Sequence, residues 1–374
     1  MRAVLVLGWV VMVGCTGTQE PEVPESLPIP RGFPEPVIPE DNPYSAAKAE
    51  LGRYLFYDPQ LSGNGEQSCS SCHLQERAFT DGKVTPVGST GDEVVRNSPT
   101  LVNVAYNSTL NWANPILTEL ENQILVPMFG EDPVELGIGG NEAAVIDRFA
   151  SDPDYVARFE AAFPDEEDPV QFDRMVDALA TFSRTMISGN SPFDRFTYQG
   201  ELDALTDSQR RGLVIFFSEE LECHHCHGGF NFTEATTHAG SVFEAELFHN
   251  TGLYDIDGEG GYPANNTGLF EFTADPQDMG RFRAPTLRNI AVTAPYMHDG
   301  SMETLEEVIR HYEAGGRMIE EGPYAGDGRA NPNKSGLVAG FTLTDDNRAD
   351  LLAFLESLTD DVFLTDPALA NPFE

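Results

Sequence analysis

A pentapeptide, CxxCH, occurs twice in this chain and limits the folds open to it: CSSCH at residues 69–73 and CHHCH at residues 223–227. Two thiols at this spacing can form thioether bonds to the vinyl groups of one porphyrin, and the adjacent His can then bind its iron. A structural zinc site, a pair of disulfides or a redox dithiol also uses CxxC pairs, but none of them requires a His directly after both pairs. The pattern predicts two covalent c-type haems, with the binding sets Cys69, Cys72, His73 and Cys223, Cys226, His227.

The N-terminus has the pattern of an exported protein. Arg2 precedes an apolar run over residues 3–13, which is too short to span a membrane as a mature helix and has the length of a signal peptide. The run leads to Cys15 in a context similar to a bacterial lipoprotein processing box. We expect a signal peptide over residues 1–14 and a lipid on Cys15, with simple cleavage nearby as the alternative. A Pro/Glu-rich tether over residues 15–43 would then hold a periplasmic protein to the membrane only through its lipid anchor.

Cysteine usage and net charge further limit the class of protein and the partners expected for this chain. Five cysteines are odd for an exported chain, but a lipid on Cys15 leaves four, all within the two CxxCH motifs. Asp and Glu number 61 against 22 Lys and Arg, so the formal net charge is −39. Nucleic acids and anionic membrane surfaces favour clustered Lys and Arg, so neither is expected as a partner.

The two motifs have similar lead-ins, which indicates a duplicated unit. The pattern Gly-x-x-(Leu/Ile)-Phe precedes each motif, beginning at Gly52 in the first and at Gly212 in the second. A predicted capping box of Thr206 with Gln209 opens the second lead-in. Few stretches alternate with the period of a strand, and 374 residues are enough for two domains of ordinary size. We expect a mainly α protein of two cytochrome c-like domains, over residues 44–204 and 205–374, each with one haem.

Spare axial ligands for the irons are unevenly distributed. No His or Met lies between His73 and Asn97, and within the second motif His224 and His225 are expected to be solvent-side spacers and not ligands. An open iron reacts with peroxide, whereas two strong axial ligands favour electron transfer. We therefore expect the first haem to be five-coordinate and accessible to hydrogen peroxide. The histidines outside the motifs all lie in the second half of the chain: His238, His249, His298 and His311.

A capped amphipathic helix is predicted near the end of the second domain. Thr304 and Glu307 form a capping-box pair, and two Gly residues end the helix. Tyr312 falls within the apolar stripe at about 100° per residue, whereas His311 points away from it. A phenol therefore faces inward where an aliphatic side chain is usual. The other residues of the stripe recur at i, i+3 and i+4: Leu305, Val308 and Ile309.

From about residue 42 to its end, the chain resembles the bacterial di-haem cytochrome c peroxidase and MauG family. The motifs that carry the resemblance follow in family order: CSSCH, RNSPTLVNVAYN, Trp112, CHHCHGG, FHNTGLY, MGRFRAPTLRNIAVTAPYMHDG and TLEEVIRHYEAGG. The resemblance implies that His73 and His227 are the proximal iron ligands and that Trp112 lies between the two macrocycles. It also implies a calcium site between the haems, formed by Asn97 and the backbone carbonyls of Thr293 and Pro295.

The resemblance further implies a distal pocket over the first haem, formed by Gln123, Pro127 and Glu135. Each of these assignments has a simpler alternative. Trp112 could be an ordinary core aromatic, Gln123 a solvated residue of an amphipathic helix, and Glu135 one of many acidic residues. The loop before Glu135 is also slightly longer than in the peroxidases of the family.

Tyr312 separates the two branches of the family. The peroxidase branch has a Met ligand to the second haem at the position fourteen residues after the His of the HDG motif, whereas the MauG branch has Tyr there. A Met thioether raises the haem potential, whereas an anionic phenolate favours high-valent iron. The second haem is therefore expected to be six-coordinate, with Tyr312 as its distal ligand. A core Tyr hydrogen-bonded to backbone is the simpler alternative.

The full-length pattern is most similar to the MbnH-like subgroup of MauG enzymes, which are associated with copper-handling partners. The resemblance implies an enzyme in which peroxide produces a high-valent di-haem state that oxidises a copper-binding partner protein, converting Trp to kynurenine. The alternatives are a di-haem cytochrome c peroxidase supplied with electrons by a small redox protein, and an electron-transfer cytochrome without catalysis. One departure concerns the surface Trp that some MauG enzymes carry two residues before the second CxxCH, where this chain has Leu221.

Overall fold

The structure, a computed structural model, describes residues 25–242 and 247–374. The expected signal peptide and the lipidation site Cys15 lie outside these residues. Within the described ranges, no helix combines the length and the apolar character needed to cross a lipid bilayer.

Five α-helices lie in the first half of the described chain. Side-chain caps define two of their starts: the Ser45 hydroxyl accepts from the Lys48 amide at 3.2 Å, and the Asp152 carboxylate accepts from the Asp154 amide at 2.9 Å. The apolar faces of these helices enclose one core, together with the loop that follows the first CxxCH motif. The bounds are α1 Ala46–Tyr57, α2 Leu120–Phe129, α3 Glu142–Ala150, α4 Pro153–Ala162 and α5 Phe172–Arg184.

The second half has shorter helices and two small antiparallel ribbons around a second core. Both predicted capping boxes are confirmed, at Thr206 with Gln209 and at Thr304 with Glu307. The helices are α6 Pro192–Asp194, α7 Asp207–Phe216, α8 Cys223–Cys226, α9 Phe270–Thr273, α10 Leu305–Glu313 and α11 Asp345–Glu356. The ribbons pair β1 Phe248–His249 with β2 Phe282–Arg283, and β3 Met318–Ile319 with β4 Gly326–Asp327. The expected mainly α fold is confirmed.

The same helix crossing recurs in both halves. A Cβ atom at Gly52 of α1 would lie 2.0 Å from the carbonyl oxygen of Ala178 on α5. A Cβ atom at Gly212 of α7 would lie 1.9 Å from the carbonyl oxygen of Asp350 on α11. Only glycine permits this approach of two backbones, so the shared lead-in is explained by a shared packing requirement.

Part of the expected tether packs against the folded body. Phe33 is 9% exposed, and its ring makes edge contacts with Tyr106 and Phe230 at centroid distances of 6.1 and 4.9 Å. The Tyr106 hydroxyl donates to the Pro34 carbonyl at 2.9 Å. The prediction of a free tether over residues 15–43 is therefore wrong for its described part, because burial of an aromatic ring stabilises the packed arrangement.

The two cores do not divide at residue 205. Phe193 already belongs to the second core, and its amide donates to the Ser357 carbonyl at 3.2 Å. The C-terminal segment returns to the first core, which includes Phe363 and Leu369. There the Tyr57 hydroxyl donates to the Leu369 carbonyl at 2.7 Å. Each domain is therefore completed by chain from beyond the expected boundary.

Buried polar groups connect the two cores. Arg288 and Asp194 form a bidentate ion pair at 2.8 and 2.9 Å, and both side chains have 0% exposure. The Asn103 amide donates to Asn231 Oδ1 at 2.9 Å, which joins the first half of the chain to the second. Such groups are costly to bury unless every partner is present, so they favour one relative placement of the domains.

We predict that Gly212→Ala destabilises the protein by about 1–3 kcal/mol, because the added methyl group requires a backbone shift in α7 or α11. Thermal unfolding of the haem-loaded protein followed by circular dichroism checks this as a lower midpoint. Gly139→Ala is the matched control, since nothing lies within 4 Å of a Cβ atom there. Equal midpoints for the two variants would contradict the close crossing.

Candidate functional site

A large cavity lies in the second domain beside the CHHCH motif. Its empty space, counted with space open to solvent, is about 1390 Å³. Cys223, Cys226 and His227 line one part of it, and Tyr312 and Trp112 line others. The remaining lining is largely aliphatic and aromatic, which suits a flat apolar macrocycle held by two thiols and one imidazole.

His227 is prepared to bind a metal through one ring nitrogen. Its Nδ1 atom lies 3.1 Å from the Pro285 carbonyl oxygen and 3.3 Å from that of Phe232. Burial lowers the pKa of His227 to about 4, so the ring is neutral and donates its Nδ1 hydrogen. The Nε2 lone pair is then available for iron, as in histidines oriented by a second hydrogen bond.

His73 has the same arrangement in the first domain. Its Nδ1 atom lies 2.7 Å from the Phe79 carbonyl oxygen, and burial lowers its pKa. Phe79 and Phe232 share a further feature, since both adopt left-handed backbone angles, with φ of 59° and 49°. A non-glycine residue in this region costs about 1–2 kcal/mol. The same unfavourable turn therefore directs a carbonyl at the imidazole in both domains.

Tyr312 lines the large cavity, as the helical pattern predicted. It lies on α10 within reach of the second motif, and burial raises the pKa of its phenol, with smaller contributions from Cys226 and Cys223. His311 points elsewhere but is also buried, at 5% exposure, and it does not line the cavity. Tyr312 and His227 both line this cavity, and its lining also includes the imidazoles of His249 and His298 and the hydroxyl of Tyr262.

Trp112 forms a wall between the large cavity and a smaller one of about 510 Å³. Its indole N–H donates to the Asn97 carbonyl at 2.8 Å, and its own carbonyl accepts from the Arg283 amide at 2.8 Å. Among the described residues Trp112 is the only tryptophan. Its ring is 9% exposed and belongs to the second core.

The smaller cavity brings the three expected calcium ligands together. Asn97, Thr293 and Pro295 all line it. The Asn97 side-chain amide donates to the Lys83 carbonyl at 2.7 Å, and no described residue donates to its Oδ1 atom. One side-chain oxygen and two backbone carbonyls are suitable ligands for calcium, which binds oxygen almost exclusively.

The expected distal residues of the first haem lie on α2 and the loop after it. Gln123 and Pro127 belong to α2, and the Leu136 amide donates back to the Pro127 carbonyl at 2.9 Å. This fold-back brings Glu135 to the first motif. Burial raises the pKa of the Cys69 thiol to about 12, and the Glu135 carboxylate contributes to that rise. Burial also raises the pKa of Glu135 itself, and Gln123 Oε1 is buried without a partner among the described residues.

Sequence reasoning did not identify Arg283, which lines both cavities. Its Nε atom donates to the Asn111 carbonyl at 3.1 Å, and burial lowers its pKa to about 10. Within residues 25–242 and 247–374 no carboxylate pairs with it, so it is placed to bind an acidic group such as a haem propionate. The only signal was its position in the motif MGRFRAPTLRN, which did not distinguish it from the other arginines.

Comparisons with known proteins agree with this geometry. A family model described as di-haem cytochrome c peroxidase matches residues 46–203. Cytochrome-c peroxidase IdrP1 of Pseudomonas sp. (strain SCT) is 33% identical, over 100% of this chain and 96% of that protein. Methylamine utilization protein MauG of Methylorubrum extorquens is 31% identical, over 90% of this chain and 82% of that protein. The crystal structure of a MauG-like protein associated with microbial copper homeostasis is 52% identical, with a TM-score of 0.91, and covers 92% of this chain and 99% of that chain.

We predict that Glu135→Gln changes the pH dependence of stability. Burial raises the pKa of Glu135, so its carboxylate lowers stability once ionised. This cost is absent below the ordinary pKa and grows as pH rises through the raised one. The variant should therefore gain stability relative to the parent as pH rises above the ordinary pKa of a glutamate carboxyl, about 4.3.

Urea unfolding at several pH values measures this difference. Glu142→Gln is the control of opposite sign, because backbone N–H groups lower the pKa of Glu142. That variant should lose stability relative to the parent as pH rises. A difference for Glu135→Gln that is constant with pH would show that the carboxyl is not desolvated.

Proposed function

Because the chain belongs to the di-haem cytochrome c peroxidase and MauG family, we propose that it uses hydrogen peroxide to oxidise a tryptophan of a partner protein to kynurenine. The relatives are peroxide-dependent di-haem oxidoreductases. When bound, the two c-type haems supply the reaction with peroxide and the storage of two oxidising equivalents. The partner is then oxidised by long-range electron transfer, so no substrate pocket is needed at either iron.

The observation that carries this proposal is Tyr312 in the cavity of the second domain. Tyr312, His227 and both cysteines of the CHHCH motif line one cavity. A phenolate oxygen on the second iron would stabilise higher oxidation states, whereas the thioether of a methionine would favour the reduced iron. Burial raises the pKa of the phenol, so the phenol would lose its proton only when its oxygen binds a cation such as iron.

Trp112 supports electron transfer between the two haem sites. Its indole lines both cavities and is fixed by the hydrogen bond from Nε1 to the Asn97 carbonyl. We propose that it is the bridge through which the two haems share oxidising equivalents. Asn97, Thr293 and Pro295 would bind calcium beside it and hold the same loop in place.

Glu135 and Gln123 would assist the reaction of peroxide at the first haem. Burial raises the pKa of Glu135, which favours the protonated carboxyl that a general acid requires. Gln123 offers a buried carbonyl oxygen without another partner, which can accept a hydrogen bond from peroxide. Pro127 fixes the turn that brings the two together, because its carbonyl accepts from the Leu136 amide.

The nature of the partner is inferred from the related solved structure. That protein is described as MauG-like and associated with microbial copper homeostasis, and it is 52% identical to this chain. We therefore propose a copper-binding protein as the partner. Because family members are periplasmic, we propose the periplasm as the location, with a lipid on Cys15 as the membrane anchor. Leu221 is buried in the second core, so the electron must enter by another surface residue.

A di-haem cytochrome c peroxidase is the second candidate function. The 33% identity to cytochrome-c peroxidase IdrP1 over the whole chain favours it. In that case electrons would arrive from a small redox protein, and peroxide would be reduced to water. The two candidates differ in whether the oxidised protein reacts with peroxide before any electron is supplied.

The test is to add peroxide to the fully oxidised holoprotein and follow both irons by EPR and Mössbauer spectroscopy. Loss of both ferric signals without a porphyrin radical supports the protein-modifying oxidase. Two low-spin haems that react only after half-reduction support the peroxidase and contradict the oxidase.

We predict that Tyr312→His leaves both haems attached but abolishes the simultaneous loss of the two ferric signals, because imidazole replaces an anionic ligand by a neutral one. Tyr262→Phe is the matched control. Tyr262 lines the same cavity, but its hydroxyl donates to Asn250 Oδ1 at 2.9 Å. An unchanged peroxide reaction in Tyr312→His would refute the assignment of Tyr312 as an iron ligand.

We predict that Asn97→Ala weakens calcium binding at least tenfold, or by about 1.4 kcal/mol, because one of the oxygen ligands is lost. Atomic emission after dialysis against graded calcium buffers measures this. Asn122→Ala is the control, since Asn122 is an exposed residue of α2 that bonds only Glu119. Equal calcium contents in the two variants would rule out the site.

A further inference from the structure

The two residues between the cysteines differ in kind between the two motifs. In the first motif they are Ser70 and Ser71, and the Ser71 hydroxyl accepts from the Ser68 amide at 3.1 Å. In the second motif they are His224 and His225. Since the first motif has the same spacing without imidazoles, attachment of a haem does not explain the histidines.

His224 and His225 converge with the Glu219 carboxylate at the protein surface. The Nε2 atom of His224 lies 3.6 Å from Glu219 Oε1, and that of His225 lies 3.4 Å from Glu219 Oε2. The three ligand atoms lie within 4.8 Å of one another. A second carboxylate is adjacent, with Glu222 Oε2 2.8 Å from the His225 Nε2 atom.

The separations of 3.6 and 3.4 Å between the imidazoles and Glu219 match the inner sphere of a small transition-metal ion, whereas the 2.8 Å contact of Glu222 is a hydrogen-bond distance. Donor atoms about 2.0–2.2 Å from a tetrahedral metal lie about 3.3–3.6 Å apart. Two imidazoles and two carboxylates form a donor set for copper, zinc or nickel, and exclude calcium and magnesium, which take oxygen ligands. Copper(II) is bound most tightly of the divalent first-row ions.

The local backbone is adapted to this arrangement. Glu222, which precedes the first cysteine, has a left-handed φ of 59°, whereas Ser68 at the same place in the first motif has φ of −126°. A left-handed non-glycine residue costs about 1–3 kcal/mol and is typical of functional sites. The Nδ1 atom of His224 is buried without a partner among the described residues, so Nε2 is the atom of this ring that faces the carboxylate.

We propose that Glu219, His224 and His225, assisted by Glu222, form a surface site for one divalent late transition-metal ion, with Cu²⁺ as the preferred ion. Glu219, His224 and His225 line neither cavity of the haem region, whereas Glu222 also lines the larger one. The net charge of −39 raises the local concentration of any cation near it. The inference does not depend on the proposed reaction with peroxide.

The test measures Cu²⁺ bound to the oxidised, haem-loaded protein without an affinity tag, by equilibrium dialysis and EPR. We expect one Cu²⁺ per chain with nitrogen hyperfine structure. The double variant His224→Ser/His225→Ser, which copies the first motif, should lose this signal and bind Cu²⁺ at least tenfold more weakly. Its haem absorption spectrum should be unchanged, which shows that attachment is intact.

Two further variants keep the test decisive. Glu219→Gln lies outside the motif and should weaken Cu²⁺ binding even if the double variant attaches haem poorly. His238→Ser is the matched control and should bind Cu²⁺ like the parent, because His238 lies away from the Glu219 carboxylate and bonds the Gly240 amide. Retention of Cu²⁺ in the presence of one equivalent of Zn²⁺ would support Cu²⁺ as the preferred ion, and its displacement would contradict that preference. Equal Cu²⁺ affinity and equal spectra in the parent, the double variant and Glu219→Gln would overturn it.

Discussion

The hydrogen bond from the Trp112 indole to the Asn97 carbonyl fixes the ring that lies between the two cavities, and the arrangement of both cavities depends on this ring. Trp112 lines both cavities, and as the proposed bridge its position would set how the two haem regions communicate. Asn97 in turn bonds the His298 carbonyl through its amide at 2.8 Å and the Lys83 carbonyl through its side chain. Chain from both halves therefore meets at one indole ring, and electron transfer between two sites requires a fixed separation of this kind.

The buried polar groups around this wall explain why the domains have one relative placement. The fully buried pair Arg288 and Asp194 cannot separate without exposing an unpaired charge to an apolar core. The Asp360 carboxylate accepts from three groups in the segment 188–190, at 2.8 to 3.1 Å. Phe33 covers the same region, with the Arg288 guanidinium 4.6 Å from its ring centroid. The segment around Phe33 and the C-terminal segment around Asp360 thus cover the region where the two cores meet.

The two domains are copies whose functions have diverged at a few positions. Both retain the glycine crossing of two helices, the left-handed Phe and the bonded proximal imidazole. They would differ at the distal side, for which we propose Gln123 and Glu135 in the first domain and Tyr312 in the second. They also differ in the two residues between the cysteines. The first domain has serines there, one of which accepts a local backbone hydrogen bond, whereas the second has histidines that face a carboxylate. An ancestral electron-transfer unit can thus acquire peroxide chemistry on one side and storage of oxidising equivalents on the other.

The sequence alone was sufficient for everything that depends on spacing along the chain. The two CxxCH motifs, the capping boxes at Thr206 and Thr304 and the inward position of Tyr312 follow from residues only a few positions apart. What depends on contacts between distant segments could not be predicted in this way. The placement of Phe33, the pairing of Arg288 with Asp194 and the position of Arg283 between two cavities join residues about 70 to 260 positions apart. Only the tertiary structure decided these, because the burial that stabilises them exists only once both cores have formed.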